Sequence, residues 1–257
     1  MEIDATLWLL TALAGFAAGL IDSIVGGGGL VLTPAMLNLH PGLNILQAIG
    51  TQRTSSIMGT SVAAWNYLRK IHIERRILLP ACVAAMAASA IGVQFAKRLD
   101  PELLKWTVLA ICVILAVYTV FRKDLGLKED RRFHPKHESL AALSIGTATG
   151  FYNGLIGPGT GTIMVFAFVS FLGLDFLKSS AVSKAANVSA DISSWTVLML
   201  SGFVLWVLAV PLIIGNMLGS YIGSHMAIRK GQTFVRAVFL VIVLALIARQ
   251  AWQLLTA

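Results

Sequence analysis

Displaced by 131 residues, the sequence lies over itself without a gap, and the match sets Gly15, Gly19, Gly26 and Gly28 on Gly146, Gly150, Gly157 and Gly159. The same displacement sets Arg53 on Lys184, Pro80 on Pro211, and Ser89-Ala90-Ile91-Gly92 on Ser220-Tyr221-Ile222-Gly223. A chain duplicated in this way must fold as two copies of one unit, and two cations then fall at equivalent places inside otherwise apolar stretches. Repeats that each carry a glycine-interrupted hydrophobic segment point to a transport site where the copies meet.

The solvent for this fold is lipid. Of 257 residues 57% are hydrophobic and 12% charged, against about 25% charged in soluble domains. Apolar runs of about 20 residues, enough to cross a bilayer as helix, follow one another along nearly the whole chain. The start, Met1-Glu2-Ile3-Asp4, is acidic and lacks the basic region of a secretory signal, so the first apolar run is expected to be retained. A formal net charge of +8 raises nucleic acid as a partner. The basic residues instead sit in short loops between apolar runs, as topology signals do, so a nucleic-acid partner is not expected. Cys82 and Cys112 lie in separate apolar segments without a CxxC pattern, which indicates neither redox chemistry nor a zinc site. Trp8, Trp106 and Trp252, near segment ends, suit interface anchors.

The expected architecture is an all-α polytopic membrane protein forming a single membrane domain over 1–257. Repeat 1 runs from about 5 to 121, a cytoplasmic linker from about 122 to 138, and repeat 2 from about 140 to 254. Within them the spans fall at about 5–39, 44–68, 76–96 and 102–121, then 140–173, 175–200, 203–227 and 233–254. The first segment of each repeat exceeds one crossing and is cut by Gly26-Gly27-Gly28-Gly29 or Gly157-Pro158-Gly159-Thr160-Gly161, so each should fold back as two helices. Pro158 suits the first turn after its break. If both long segments return to their starting side, 14 of the 20 lysines and arginines lie in cytoplasmic loops and 4 outside; single crossings give 11 against 7. Positive-inside bias prefers the fold-back, which makes the repeats inverted.

Arg53 and Lys184 each lie about ten residues into a span, too deep to reach a headgroup. A charge there costs about 2.5–3.5 kcal/mol on insertion scales, so something must offset it. Helical spacing lines Lys184 up with Asn187 and Asp191, and Arg53 with Ser56 and Thr60. A helix that starts inside the membrane also presents unpaired N–H groups and a positive dipole end, which attract anions. Two breaks and two cations related by the repeat describe one central anion site. Its expected residues are Arg53, Lys184, Gly27, Gly28, Gly29, Gln52, Asn153, Gly159, Thr160 and Asn187, with Thr51 and Ser183 nearby and Asp22 and Asp191 as candidates for ion coupling. The same charges allow a purely structural reading, with ion pairs Arg53–Asp22 and Lys184–Asp191. The glycine runs lack a preceding strand and a Gly-Lys-Ser/Thr ending, which speaks against a phosphate loop. Gly15/Gly19, Gly146/Gly150 and Gly219/Gly223 are expected to pack helices. His134 and His137 have metal-like spacing but sit in a polar linker, and His225 inside a span suits packing; neither a metal nor a cofactor is expected. No nucleophile–base constellation marks an enzyme.

These residues resemble the TauE/SafE sulfite-exporter-like permeases, the TSUP family. The resemblance lies in the stretch from Gly15 through Ile21-Asp22-Ser23 to Gly29, in Gly50-Thr51-Gln52-Arg53, and in Gly150-Phe151-Tyr152-Asn153-Gly154 with Gly157-Pro158, and it covers nearly the whole chain. Arg53 departs from the lysine that relatives carry after Thr-Asn, which keeps the cation and adds a bidentate geometry. The resemblance implies a secondary transporter of the bacterial inner membrane that carries small sulfur-containing anions, sulfite or organosulfonates, and it implies a homodimer as one assembly state. Two other readings stand beside it: a proton- or sodium-linked cation carrier using Asp22 and Asp191, and a membrane assembly protein without transport.

Overall fold

The computed structural model describes residues 5–96 and 126–255, with backbone alone for 242, 243 and 245–255. The span expected at about 102–121, with Trp106 and Cys112, and the side chain of Trp252 lie outside the described residues. Every regular element among the described residues is helical: α1 (Ala5–Val25), α2 (Gly28–Leu39), α3 (Ile45–Lys70), α4 (Arg75–Ala96), α5 (Pro135–Leu155), α6 (Thr160–Ala167), α7 (Phe176–Leu200) and α8 (Trp206–Leu255). A π-helical turn, Phe168–Leu172, continues α6. Among the described residues, three stretches are long and apolar enough to cross a bilayer, namely α1, α4 and Trp206–Val241 of α8. Their outer faces expose Leu79, Val83, Val207, Leu218 and Val241, the surface expected where the surrounding solvent is hydrocarbon.

Both long segments break at glycine. Gly26 and Gly27 separate α1 from α2 with φ of 88° and 89°, and Gly157 and Gly159 separate α5 from α6 with φ of 86° and 89°; only glycine takes this region without strain. Pro158 lies outside the helix, immediately before the N-cap Gly159 rather than in the first turn, because the helix cannot begin until the second left-handed glycine has turned the chain. Pro135 takes the first-turn role instead, opening α5 inside the stretch expected as linker. The spans expected at about 203–227 and 233–254 run on as α8, interrupted at Gly231 with φ 79°. α3 opens on a capping box in which Asn44 accepts from the Gln47 amide at 2.8 Å and the Gln47 side chain accepts in return at 3.1 Å.

The sequence repeat is also a contact repeat. α1 packs along α8 and α4 along α5, so the first helix of each half lies on the fourth helix of the other. A Cβ added to Gly15 would stand 2.7 Å from the Leu212 carbonyl oxygen, and one on Gly146 would stand 2.5 Å from that of Ala81. Leu212 and Ala81 are themselves 131 apart. Gly223 against Leu20 and Gly92 against Phe151 repeat the pattern, at 2.5 and 2.3 Å. These contacts hold helix backbones closer than any side chain permits, the packing role expected of small-xxx-small pairs.

At one end, residues 126–134 strap the halves together. Asp130 donates to the Gly173 carbonyl at 2.8 Å and Phe176 to that of Gly126 at 2.9 Å. Arg131 bonds Glu138 at 2.8 Å and Glu74 at 3.1 Å, and also meets Glu129, which pairs with Lys178. Partial burial disfavours both charges, yet the hydrogen bonds and opposite charges win. They hold the Glu129 carboxyl below the usual carboxylate range and the Arg131 guanidinium above its ordinary value.

Candidate functional site at the helix breaks

α1 and α5 end inside the protein, so the negative end of each helix dipole is buried there; the Asp22 carbonyl near the end of α1 already accepts from the Gly26 amide at 2.8 Å. Each helix end is met by the cation of the opposite half. The Arg53 Nη2 donates to the Asn153 carbonyl at 2.6 Å and Nη1 to its side-chain oxygen at 3.4 Å. The Lys184 ammonium donates to the Asp22 carbonyl and lies 3.5 Å from the Asp22 carboxylate. Asp22 and Asn153, like Arg53 and Lys184, are 131 apart, so one contact is the image of the other. The ion pair therefore joins Lys184 to Asp22, unlike either pair that the sequence suggested.

The two carboxylates are placed differently. Asp22 reaches across its own break, accepting from the Gly28 amide at 3.2 Å and from the Thr60 hydroxyl at 3.1 Å. It thereby puts a negative charge on the first turn of α2. Asp191 accepts from the Asn153 carboxamide at 2.9 Å, from Asn187 one turn back on α7 at 3.1 Å, and from Ser56 at 3.2 Å. Asn153 is fully engaged, since Ser89 also donates to its side-chain oxygen at 3.1 Å. Arg53, Lys184, Asp22, Asp191, Asn153 and Asn187 are all buried.

These groups surround a narrow cavity of about 20 Å³ where the two breaks meet. Asp22, Gly27, Gly29, Gln52, Arg53, Gly159, Thr160, Asn187 and Asp191 line it, together with Ser56, Gly157 and Gly161. Lys184, Asn153 and Gly28 stand behind this lining and act on it through their bonds to Asp22, Arg53 and Asp191. At Gly26 and Gly161 the breaks touch backbone to backbone: a Cβ on Gly26 would lie 2.3 Å from the Gly161 carbonyl carbon. The Arg53 Nε is buried without a hydrogen-bond partner among the described residues.

Two neighbours expected from sequence serve elsewhere or stand apart. Thr51 accepts from the Leu205 amide at 3.0 Å and so orders the chain entering α8, while the buried Ser183 hydroxyl makes no hydrogen bond among the described residues. His225 stacks on Tyr221 at 4.4 Å, a packing contact. Ser89 was not singled out, although its match to Ser220 under the displacement was a signal; it ties α4 to Asn153 and to the Ala190 carbonyl at 2.8 Å.

Comparison with known proteins adds the family. Residues 11–249 match the model of the family described as sulfite exporter TauE/SafE. The chain belongs to that family. It is 30% identical over 253 residues to a probable membrane transporter protein of Haemophilus influenzae, covering 98% of each chain. It is 30% identical over 237 residues to the probable membrane transporter protein ORF9 of a Sinorhizobium species, covering 92% of this chain and 89% of the relative. With the Escherichia coli K12 protein YfcA, also named a probable membrane transporter, identity is 27% over 239 residues, 92% and 85% of the two chains. No solved structure matches. The TauE/SafE chain described here is thus a membrane transporter of its family, with a lipid surround and a small-molecule substrate as its partners.

Proposed function

We propose that this TauE/SafE protein is a secondary transporter of small sulfur-containing anions, sulfite or organosulfonates, working by alternating access around the cavity at the helix breaks. The observation that carries the reading is the buried Arg53 Nε, a charged donor without a partner on a side chain that lines the cavity. Beside it, Gly159, Thr160 and Gly161 bring the positive end of the α6 dipole to the same space, although the Thr160 amide itself is taken by the Gly157 carbonyl at 3.2 Å. Arginine presents a planar fork suited to an oxyanion. Gly27, Gly29, Gln52 and Asn187 complete the lining. Lys184, Gly28 and Asn153 act as positioning residues.

A cavity of about 20 Å³ holds roughly one water. A sulfur oxyanion therefore enters only when the breaks move apart, as alternating access requires. The reciprocal contacts of the two halves, together with the positive-inside count, support inverted repeats joined by the linker at about 122–138 into one multi-pass domain. The bacterial relatives support the inner membrane as its place. A cation carrier on Asp22 and Asp191 fits less well, because Asp22 is already engaged by Lys184, Gly28 and Thr60.

The test is sulfite and methanesulfonate uptake into proteoliposomes by the wild type and Arg53→Gln. Loss of saturable uptake in the variant, with the protein still folded, is the expected result. Equal uptake by both would remove Arg53 from the site.

A further inference from the structure

The buried charges at the breaks are Arg53, Lys184, Asp22 and Asp191, and they sum to zero. A monoanion bound at Arg53 would leave this cluster with one uncompensated negative charge in a medium that solvates charge poorly. Neutrality returns if one carboxylate takes up a proton, and the geometry distinguishes the two.

Asp22 is committed. It holds the Lys184 ammonium at 3.5 Å and accepts from the Gly28 amide at 3.2 Å. Protonating it would strand Lys184, which stands behind the cavity lining where an anion in the cavity does not touch it. Asp191 differs in each respect. Its hydrogen-bond partners, Asn153, Asn187 and Ser56, are all neutral. The charge it balances is that of Arg53, which an incoming anion would balance in its place. Ser56 donates to Asp191 at 3.2 Å, and a hydroxyl can turn from donor to acceptor, so a protonated Asp191 keeps this bond with its direction reversed. Asp191 and Ser56 both line the cavity, so proton and anion arrive through the same space. The charged and titratable groups facing this part of α7 are Arg53 from α3, Asp22 from α1, Lys184 on α7 itself, and Cys82 from α4, which lies against Ser189.

We infer that Asp191 is the proton-coupling residue of this transporter, taking up one proton for each monoanion that replaces it as the counter-charge of Arg53. The inference rests on the anion site proposed above and adds its coupling: transport is electroneutral, and the proton travels on the protein in the same step as the anion.

The test uses methanesulfonate, an anion that carries no titratable proton of its own near neutrality, in proteoliposomes with a clamped membrane potential and an internal pH dye. The wild type should move one proton per sulfonate in the same direction, at a rate that does not change with the potential. Asp191→Asn mimics the protonated acid; it should still bind methanesulfonate, move no protons, and carry a sulfonate flux that follows the potential. Wild-type uptake without proton movement, or Asp191→Asn uptake that still moves protons, overturns the coupling and leaves the anion site standing. Absence of saturable uptake of both methanesulfonate and sulfite by the wild type overturns the anion site and the coupling together. The wild-type stoichiometry decides the matter even if the variant does not fold.

Discussion

The two breaks are copies of one another that have kept one contact and reversed another. Both halves keep the cation that caps the opposing helix, Arg53 on the Asn153 carbonyl and Lys184 on the Asp22 carbonyl. They differ in where the acid sits. In the first half it is on the broken helix, where Asp22 accepts from Thr60 of α3; in the second the broken helix carries Asn153, which donates to Asp191 of α7. Thr60 and Asp191 are 131 apart, as are Asp22 and Asn153, so one hydrogen bond survives with donor and acceptor exchanged. The consequence is electrostatic. The first turn of α2 already has a carboxylate on it, whereas the equivalent position before α6 is a neutral carboxamide turned toward α7. Two similar halves thereby become one whose helix start carries a carboxylate and one whose helix start does not.

Removing the cation of each half separates the halves most sharply. Lys184→Met strands a buried carboxylate and should cost about 3–5 kcal/mol of stability, read as a lowered midpoint of thermal unfolding in detergent. Asp22→Asn in the same chain should recover part of the loss, and no recovery would show that the pair does not couple. Arg53→Gln also leaves a buried carboxylate, Asp191, without its counter-charge, but on the coupling inferred above a proton can neutralise it, so the variant should act more on binding, weakening the anion by about 2–5 kcal/mol, roughly 30- to 5,000-fold. A titration monitored by calorimetry checks it, and a larger loss of stability than of affinity would reverse the roles assigned to the two cations.

Alanine at the matching glycines extends the comparison. Gly26→Ala adds a Cβ at positive φ, 2.3 Å from the Gly161 backbone, whereas at Gly157 the nearest atom is the Arg53 Nη2 at 2.6 Å, the end of a flexible side chain. Backbone strain of about 1–3 kcal/mol falls on both. Gly26→Ala should also force the breaks apart and lower the yield of folded protein, while Gly157→Ala should fold and lose anion affinity. Equal yields from the two would contradict the backbone contact. The smallest effect belongs to the strap. Glu129, held below its usual range by Lys178 and Arg131, contributes stability that is present above its unfolded value and lost as pH falls through its folded one. Partly exposed, the pairs are worth about 0–1 kcal/mol. Limited proteolysis of the strap should quicken modestly in acid, and Glu129→Gln should abolish that dependence.

The duplication, the breaks and the deep cations were legible because glycine and charge are conspicuous against an apolar background, and the displacement links them. The pairing was not. Reading along single helices placed Asp191 with Lys184, since they share a face of α7, yet the Lys184 ammonium bonds the last turn of α1 and Asp191 meets Asn153 of α5. Those partners are chosen by which helices cross, a three-dimensional fact that spacing along one helix does not carry. Thr51 shows the same limit: its position beside Gln52 suggested the cavity, but the amide that it satisfies arrives from the chain before α8. One clue did cross that gap, because the displacement applies to contacts as well as residues, and either cation–carbonyl bond implies the other.

That cross-bracing also bears on how the chain is made. The ammonium that meets the end of α1 belongs to a residue 162 positions later in the sequence. While the first half leaves the ribosome, the cation that meets its break has not yet been made. Neither repeat holds within itself the cation that its own break meets.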